Sequence, residues 1–501
     1  MYGFHFFFFH GGYFGFDDIE YCRLADSLLK GEYTHGSLYA HRYASILPLV
    51  IAYFILGVND LANFIAGFSV FICTLYLVQK SIEDLNPMSR WMAALLLIFA
   101  PMYLMYIEKP MPDIIVALGF LVSFLSYFSL RFEINIFRNH TVWFCIGIII
   151  VFLAKETFLI FYPYFIILMI MDIYYKKNLK FWKDVVLAMT FFVFIYCAYY
   201  WIFAGDPFAR IKHIMAGQYV SACSYDLQPF AITLQRITYQ LWLELSRNLY
   251  LLPICFVPYL WTNGDIGSRF ITKSYITLLL LANFMTISYT TYVPLCPDPR
   301  HHIYILPLAA LVAAYGVKDI YKFSLVQFSL SISILGILLL LHVFQAFESS
   351  WWLYIPIILG LFAGYYKKTI FMILFIFLGF ISVFIQNITY NKKVNYANQK
   401  LLNEFVIHQI PGFKYVITDR VNNDYGLLHS QFENESVKFV EYKSLDTFGF
   451  RSDVPKYLII NGMTTYLSNT SWDNLPEFVK TAHEKLPKVY ENQSGTVYKV
   501  E

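Results

Sequence analysis

Apolar runs broken by short polar turns fill the chain from its start to about residue 386, after which the pattern changes. The first run, YGFHFFFFHGGYFGF, is about 15 residues, shorter than the roughly 20 a spanning helix needs. It predicts either a partial, tilted helix or an internal start with the true first helix upstream, and the second reading is favoured. The stretch DIEYCRLADSLLKG comes next, with Ile19, Cys22, Ala25 and Leu28 or Leu29 at helical spacing and Gly31 where a helix C-cap belongs. It predicts a helix lying on the membrane surface. Residues 43–57 are apolar, short and interrupted by proline, which predicts a second interfacial or re-entrant helix.

Spanning helices are predicted at 61–79, 91–107, 112–130, 141–154, 157–174, 185–204, 249–262, 275–293, 303–317, 324–346, 352–366 and 370–386. Lys155 and Glu156 mark the division within 141–174, because a bilayer centre does not tolerate unpaired charge. The expected fold is an all-α polytopic membrane protein of about 11–13 transmembrane helices. This transmembrane domain covers residues 1–386, with outer loops at 17–58 and 205–248. Residues 387–501 are polar and contain alternating stretches such as KYLIING and GTVYKV, which predict a small α/β or mixed domain outside the membrane. No internal repeat is visible.

Composition agrees with the pattern. Hydrophobic residues are 58% and charged residues 14% of the chain, against about 25% charged in soluble domains. The net charge of +3 and the scattered basic residues do not point to nucleic acid. The 7 cysteines match no metal motif in their spacing, and the plain expectation is that they are small buried residues. Neither a basic leader nor a small-x-small cleavage site precedes Asp17.

Charge in the loops sets the expected orientation. The tract YYKKNLKFWKD and the ends at Arg131/Arg138, Arg269/Lys273, Lys318/Lys322 and Lys367/Lys368 each carry at least two Lys or Arg, whereas EKPMPD and LCPDPRHH carry one each. The positive-inside rule then places Asp17 and Asp18 on the outer face. Glu108, Asp113, Lys155, the 205–248 loop, Asp298 to His302 and the tail are expected there too.

Most charges near the spans therefore collect at one depth, each at the end of a hydrophobic segment. Each has a plain structural alternative. Asp17 and Glu20 fit a helix N-cap with its capping-box partner, and Asp113 after Pro112 fits another N-cap. Lys155 fits a snorkelling side chain, Arg300 an interfacial anchor, and His301 and His302 satisfied surface residues. Their coincidence on one face is what points to chemistry.

Four stretches carry a resemblance to a known family. They are FDDIEYCRLADSLLKGEY, KPMPDIIVALGFLVSFLSYFSLR, FLAKETFLIFYPYFIIL and RHHIYILPLAALVAAYGV. Over roughly residues 1–320 the chain resembles the C-type glycosyltransferases of the protein O-mannosyltransferase group (family 39) and the lipid A aminoarabinose transferases. The match rests on an acidic pair in the first outer loop, an acid opening a later span, a Lys followed by a small hydroxyl residue, and an Arg opening a Pro-containing span. Asp18 stands where many relatives have Glu, His301 where an aromatic is usual, and THGSLYAHRYASILP where a Lys-Pro-Pro stretch is usual.

The resemblance implies transfer of a sugar from a polyprenyl-phosphate donor to an acceptor hydroxyl of a lipid, glycan or protein. Its setting would be the outer face of a bacterial plasma membrane. It implies Asp17 as general base with Asp18 second, Asp113 as a supporting acid, and Lys155, Arg300 and His301 at the donor phosphate. Neither a metal nor a cofactor beyond the lipid-phosphate sugar is implied. Two other readings are an oligosaccharide transferase or polymerase of the same fold, and a lipid or sugar transporter. A transporter would place its ionisable groups near the midplane, commonly between internal repeats.

Overall fold

Lipid offers no partner to a backbone N–H or C=O, so the apolar runs close their hydrogen bonds within themselves as helices. The computed structural model describes residues 1–216, 223–288, 291–344, 351–433, 435–445, 448–467 and 475–500. The turn expected between 346 and 352, part of the 205–248 loop and the side chain of Thr157 lie outside the described residues. The chain is a mostly helical, multi-pass membrane protein with a C-terminal mixed sheet. Asp60–Ser81, Asp113–Phe132, Leu179–Ala204 and the helix that starts at Thr369 are long and apolar enough to cross a membrane. Asp113–Phe132 is the centre of the bundle, 89% buried over its apolar window, whereas Leu179–Ala204 is 11% buried and faces outward.

Small residues set the packing that matters for function. A Cβ on Gly147 would lie 2.5 Å from the Gly119 carbonyl oxygen, and Ser123 Oγ donates to the Phe144 carbonyl at 2.9 Å. Helices Asp113–Phe132 and His140–Ala154 therefore touch backbone to backbone. That contact places Asp113, at the start of one, beside Lys155, just past the end of the other.

Several elements differ from expectation where proline or a cap overrides hydropathy. The run 91–107 divides into Pro87–Phe99 and Pro101–Tyr106, with Ala100 extended between them; Pro101 lacks an N–H and disfavours helix at the residue before it. The run 249–262 becomes a 3-10 turn, Leu252–Phe256, and a short helix, Val257–Asn263, with a proline near the start of each. The span expected at 275–293 runs instead from Ile266 to Phe284. It starts where Asp265 caps the Ser268 N–H at 2.7 Å, and beyond it Thr286 and Pro294 form an isolated bridge.

The helix expected after the first apolar run is Asp17–Lys30, closed by Gly31 at φ 74°. Tyr43–Leu56 follows, with Pro48 inside it. Helix Thr369–Val394 hands over through Asn395, in the left-handed region, to Tyr396–Glu404. The sheet comprises β1 (Lys414–Thr418), β2 (Val437–Glu441), β3 (Lys456–Asn461), β4 (Lys488–Asn492) and β5 (Gly495–Lys499), in the order β2-β1-β3-β5-β4. β1 runs parallel to β2 and β3, and β5 antiparallel to β3 and β4. The crossover from β1 to β2 is helix Arg420–His429.

Cys223 and Cys296 form a disulfide. This corrects the expectation of simple buried thiols for that pair, whose partners are 73 residues apart in sequence and meet only in the fold.

Candidate active site

Two clusters of charge stand at one end of the bundle. The first is built on the loop leading into Asp17–Lys30. Asp17 and Asp18 occupy the first turn of that helix, with Glu20, where its dipole favours negative charge. The expected capping box does not form: Glu20 pairs with Arg23 at 2.7 Å. Asp18 turns back instead and is fully buried. Its carboxylate accepts from the backbone N–H groups of Phe14 (2.5 Å), Gly15 (3.1 Å), Phe16 (3.2 Å) and Ile19 (3.0 Å). Burial pushes the Asp18 carboxyl up, while the N–H groups of Phe14 and Phe16 and the Lys109 cation pull it down.

Asp17 is left half-buried, with Tyr39 donating to its Oδ1 at 2.8 Å. Tyr39 in turn lies under the Arg42 guanidinium, 5.2 Å from the ring centroid. Arg42 donates to Glu156 at 2.6 Å and to the Tyr21 hydroxyl at 2.5 Å. Arg210 reaches the other Glu156 oxygen at 3.3 Å and stacks on Phe152, 4.6 Å from its centroid. Its buried Nε and Nη1 have no hydrogen-bond partner among the described residues, an arrangement that suits an incoming anion.

The second cluster is deeper. Asp113 Oδ1 accepts from Lys155 Nζ at 2.7 Å, and that Nζ is 2.9 Å from His301 Nδ1. His301 Nδ1 is itself 3.6 Å from Asp113 Oδ1. Arg300, next in sequence, pairs with Asp298 at 3.2 Å. Arg300 also interacts electrostatically with Asp113, Tyr106 and Asp17, which links the two clusters. Lys155 has Arg300 and Arg42 as charged neighbours.

Of the residues expected from sequence, the structure thus joins Asp113, Lys155 and His301 directly, sets Arg300 beside them, and holds Asp17 and Asp18 on the adjoining loop. Sequence reasoning missed Tyr39, Arg42, Glu156 and Arg210 as members. Glu156 was grouped with Lys155 among the charges at one depth but given no role, and neither Arg42 nor Arg210, the latter on the short helix Ala209–Ala216, lies in a motif. Among the described residues no three His, Cys, Asp or Glu side chains group to hold a metal ion.

The loop is anchored on two further sides. Glu108, 1% exposed, pairs with His5 and with His10 (2.9 Å) and accepts from the Gly11 N–H at 3.3 Å. On the opposite side helix Arg420–His429 of the C-terminal domain packs against it, and Arg420 stacks over Phe16 at 4.8 Å. Burial pushes Asp424 of that helix up to about 7, with Arg420 opposing and Asp18 adding to the rise.

No protein-family model and no curated protein matches the chain. Among solved structures it is similar to ArnT from Cupriavidus metallidurans. In the apo state the TM-score is 0.54 at 10% identity, covering 96% of this chain and 93% of that one. The same protein bound to undecaprenyl phosphate gives a TM-score of 0.55 with the same identity and coverage. At this identity the likeness establishes a shared fold.

Proposed function

We propose that the chain is an integral-membrane glycosyltransferase that moves a hexosyl or pentosyl group from a polyprenyl-phosphate donor to a hydroxyl of a lipid, glycan or protein. The observation that carries this is the division of labour in the acid pair. Asp18 is consumed by four backbone N–H groups, so Asp17 stands half-open, with Arg300 interacting with it electrostatically and Arg42 stacked on its Tyr39 partner. The fold shared with ArnT, which has been solved with undecaprenyl phosphate, supports a lipid-phosphate ligand. The resemblance of the four sequence stretches supports the reaction class.

In the proposed reaction Asp17 takes the proton of the acceptor hydroxyl as its oxygen attacks the anomeric carbon. The bond from that carbon to the phosphate oxygen breaks, and polyprenyl phosphate departs with the electron pair. A phosphate leaving group needs no general acid, but its charge needs cations. Lys155 and Arg300, with His301, face that task, and Arg42 and Arg210 extend the set. Asp113 holds Lys155 in place. We place the site on the periplasmic face of a bacterial plasma membrane. The loop charges support that orientation, as does the Cys223–Cys296 disulfide, a bond expected on an oxidising side.

The test is sugar transfer in membranes carrying Asp17→Asn or Asp18→Asn. Asp17→Asn should lower kcat by about 10²–10⁴-fold, and Asp18→Asn should reduce activity together with the order of the loop. Wild-type transfer by Asp17→Asn would remove the proposal.

A further inference from the structure

We propose that the C-terminal domain is a working part of the active site: Tyr425 and Val421, with Tyr396, are positioning residues that set the Asp17 loop. The inference rests on the reading of Asp17 as the base and goes beyond it in assigning a task to the C-terminal domain.

The segment from His10 to Phe16 belongs to no helix or strand, so its path is fixed by what it touches. Two of its glycines have φ of +66° (Gly12) and +79° (Gly15), a region that L side chains rarely adopt. At both, an added Cβ would collide with the C-terminal domain. On Gly12 it would strike the Tyr396 ring, and on Gly15 it would lie 2.6 Å from Val421 Cγ1. Between them Tyr13 is held at both ends. Its carbonyl accepts from the Tyr425 hydroxyl, and its own hydroxyl donates to Asp60 at 2.8 Å. Asp60 is shared with the same domain, since Tyr396 (3.0 Å) and Lys400 (2.7 Å) donate to it.

The loop is therefore interdigitated with helices Tyr396–Glu404 and Arg420–His429 at His10, Gly12, Tyr13, Gly15 and Phe16. The N–H groups of Phe14, Gly15 and Phe16 that this clasp presents are the ones that hold Asp18. Asp17 is the next residue after Phe16. Its carboxylate thus inherits its position from contacts made by residues some 400 positions away in sequence. A module that only recognised acceptor would not need to grip the backbone beside the acid.

The experiment uses the full chain in detergent or nanodiscs. Tyr425→Phe removes one donor and keeps the ring, Gly15→Ala forces the loop against Val421, and Gly15→Ala with Val421→Ala relieves that collision. For Tyr425→Phe and Gly15→Ala, kcat should fall about 10- to 100-fold, the scale of a misplacement of about 1 Å, with the KM for the lipid donor unchanged. The Gly15→Ala/Val421→Ala pair should recover part of the loss, and amide exchange at residues 14–16 should quicken in Tyr425→Phe. Wild-type kcat in both single variants, or a change confined to the KM for acceptor, overturns the proposal. Asp17→Asn run alongside separates the two ideas: full activity there removes the base, while the exchange at 14–16 still reports whether Tyr425 holds the loop.

Discussion

The two charged clusters treat the same kind of residue in opposite ways. Asp113 and Asp17 each open a helix at one end of the bundle. Asp113 is 3% exposed and gives Oδ1 to a Lys155 ammonium supplied by the neighbouring helix. Asp17 keeps a half-open face with a single tyrosine on it, because its neighbour Asp18 has taken the backbone donors. A carboxylate paired with a buried cation is neutralised and held, whereas Asp17 is oriented by one hydroxyl and stays within reach. The contrast fits the proposed roles, with the deep acid organising the cations and the shallow one as the base.

The largest test of that contrast lies in the deep cluster. Lys155→Met strands Asp113 inside the bundle, a change worth about 3–5 kcal/mol of destabilisation, and it removes a cation from the proposed phosphate site. Thermal unfolding in detergent and donor titration should both show the loss. Adding Asp113→Asn should restore stability but not donor affinity. Recovery of both would reduce the pair to a structural strut.

How much of this could be read from the chain differs between the clusters for a physical reason. Helix positions follow hydropathy except where proline or a cap overrides it, and the close of helix Asp17–Lys30 at Gly31 follows from a residue suited to φ 74°. The mixed C-terminal domain shows in its alternating strands. Asp113, Lys155 and His301 could be grouped because each sits at the end of a span on one face, and span ends at one depth are neighbours. Asp18 could not be separated from Asp17 in the same way, since the difference lies in which carboxylate turns back onto Phe14, Gly15 and Phe16. Arg42, at the start of helix Tyr43–Leu56, and Arg210, on the short helix Ala209–Ala216, meet at Glu156 through a chain path that hydropathy does not encode. The bond between Cys223 and Cys296 has the same origin.

That disulfide offers the next test. It ties the stretch at Cys223 to the stretch preceding Arg300, on the side of the deep cluster. Cys223→Ser should cost about 2–4 kcal/mol, and should weaken donor binding through Arg300 and His301 more than it alters the acid loop. A melting curve and a donor titration, each with and without reductant on the wild type, check this. An unchanged melting temperature in both would mean that the loop is held by other contacts.

The smallest effect sharpens the acid loop itself. Asp424 lies on the helix that grips the loop, with Arg420, Asn423, Glu441 and Asp18 as its interacting groups. Its cation is divided, because Arg420 also stacks on Phe16. Burial first, and Asp18 after it, hold the Asp424 carboxyl at about 7, against 3.8 for an ordinary Asp. The unfolded chain therefore releases this proton first, and between those two values the folded state binds more protons than the unfolded one. Stability from this group is fully present below the lower value and is lost as pH rises through the upper one. Asp424→Asn carries no such charge. It should melt with the wild type near pH 4 and about 2 °C or more above it near pH 8. A gain of equal size at both pH values would show that the substitution acts through packing, and that Asp424 does not feel Asp18 across the loop.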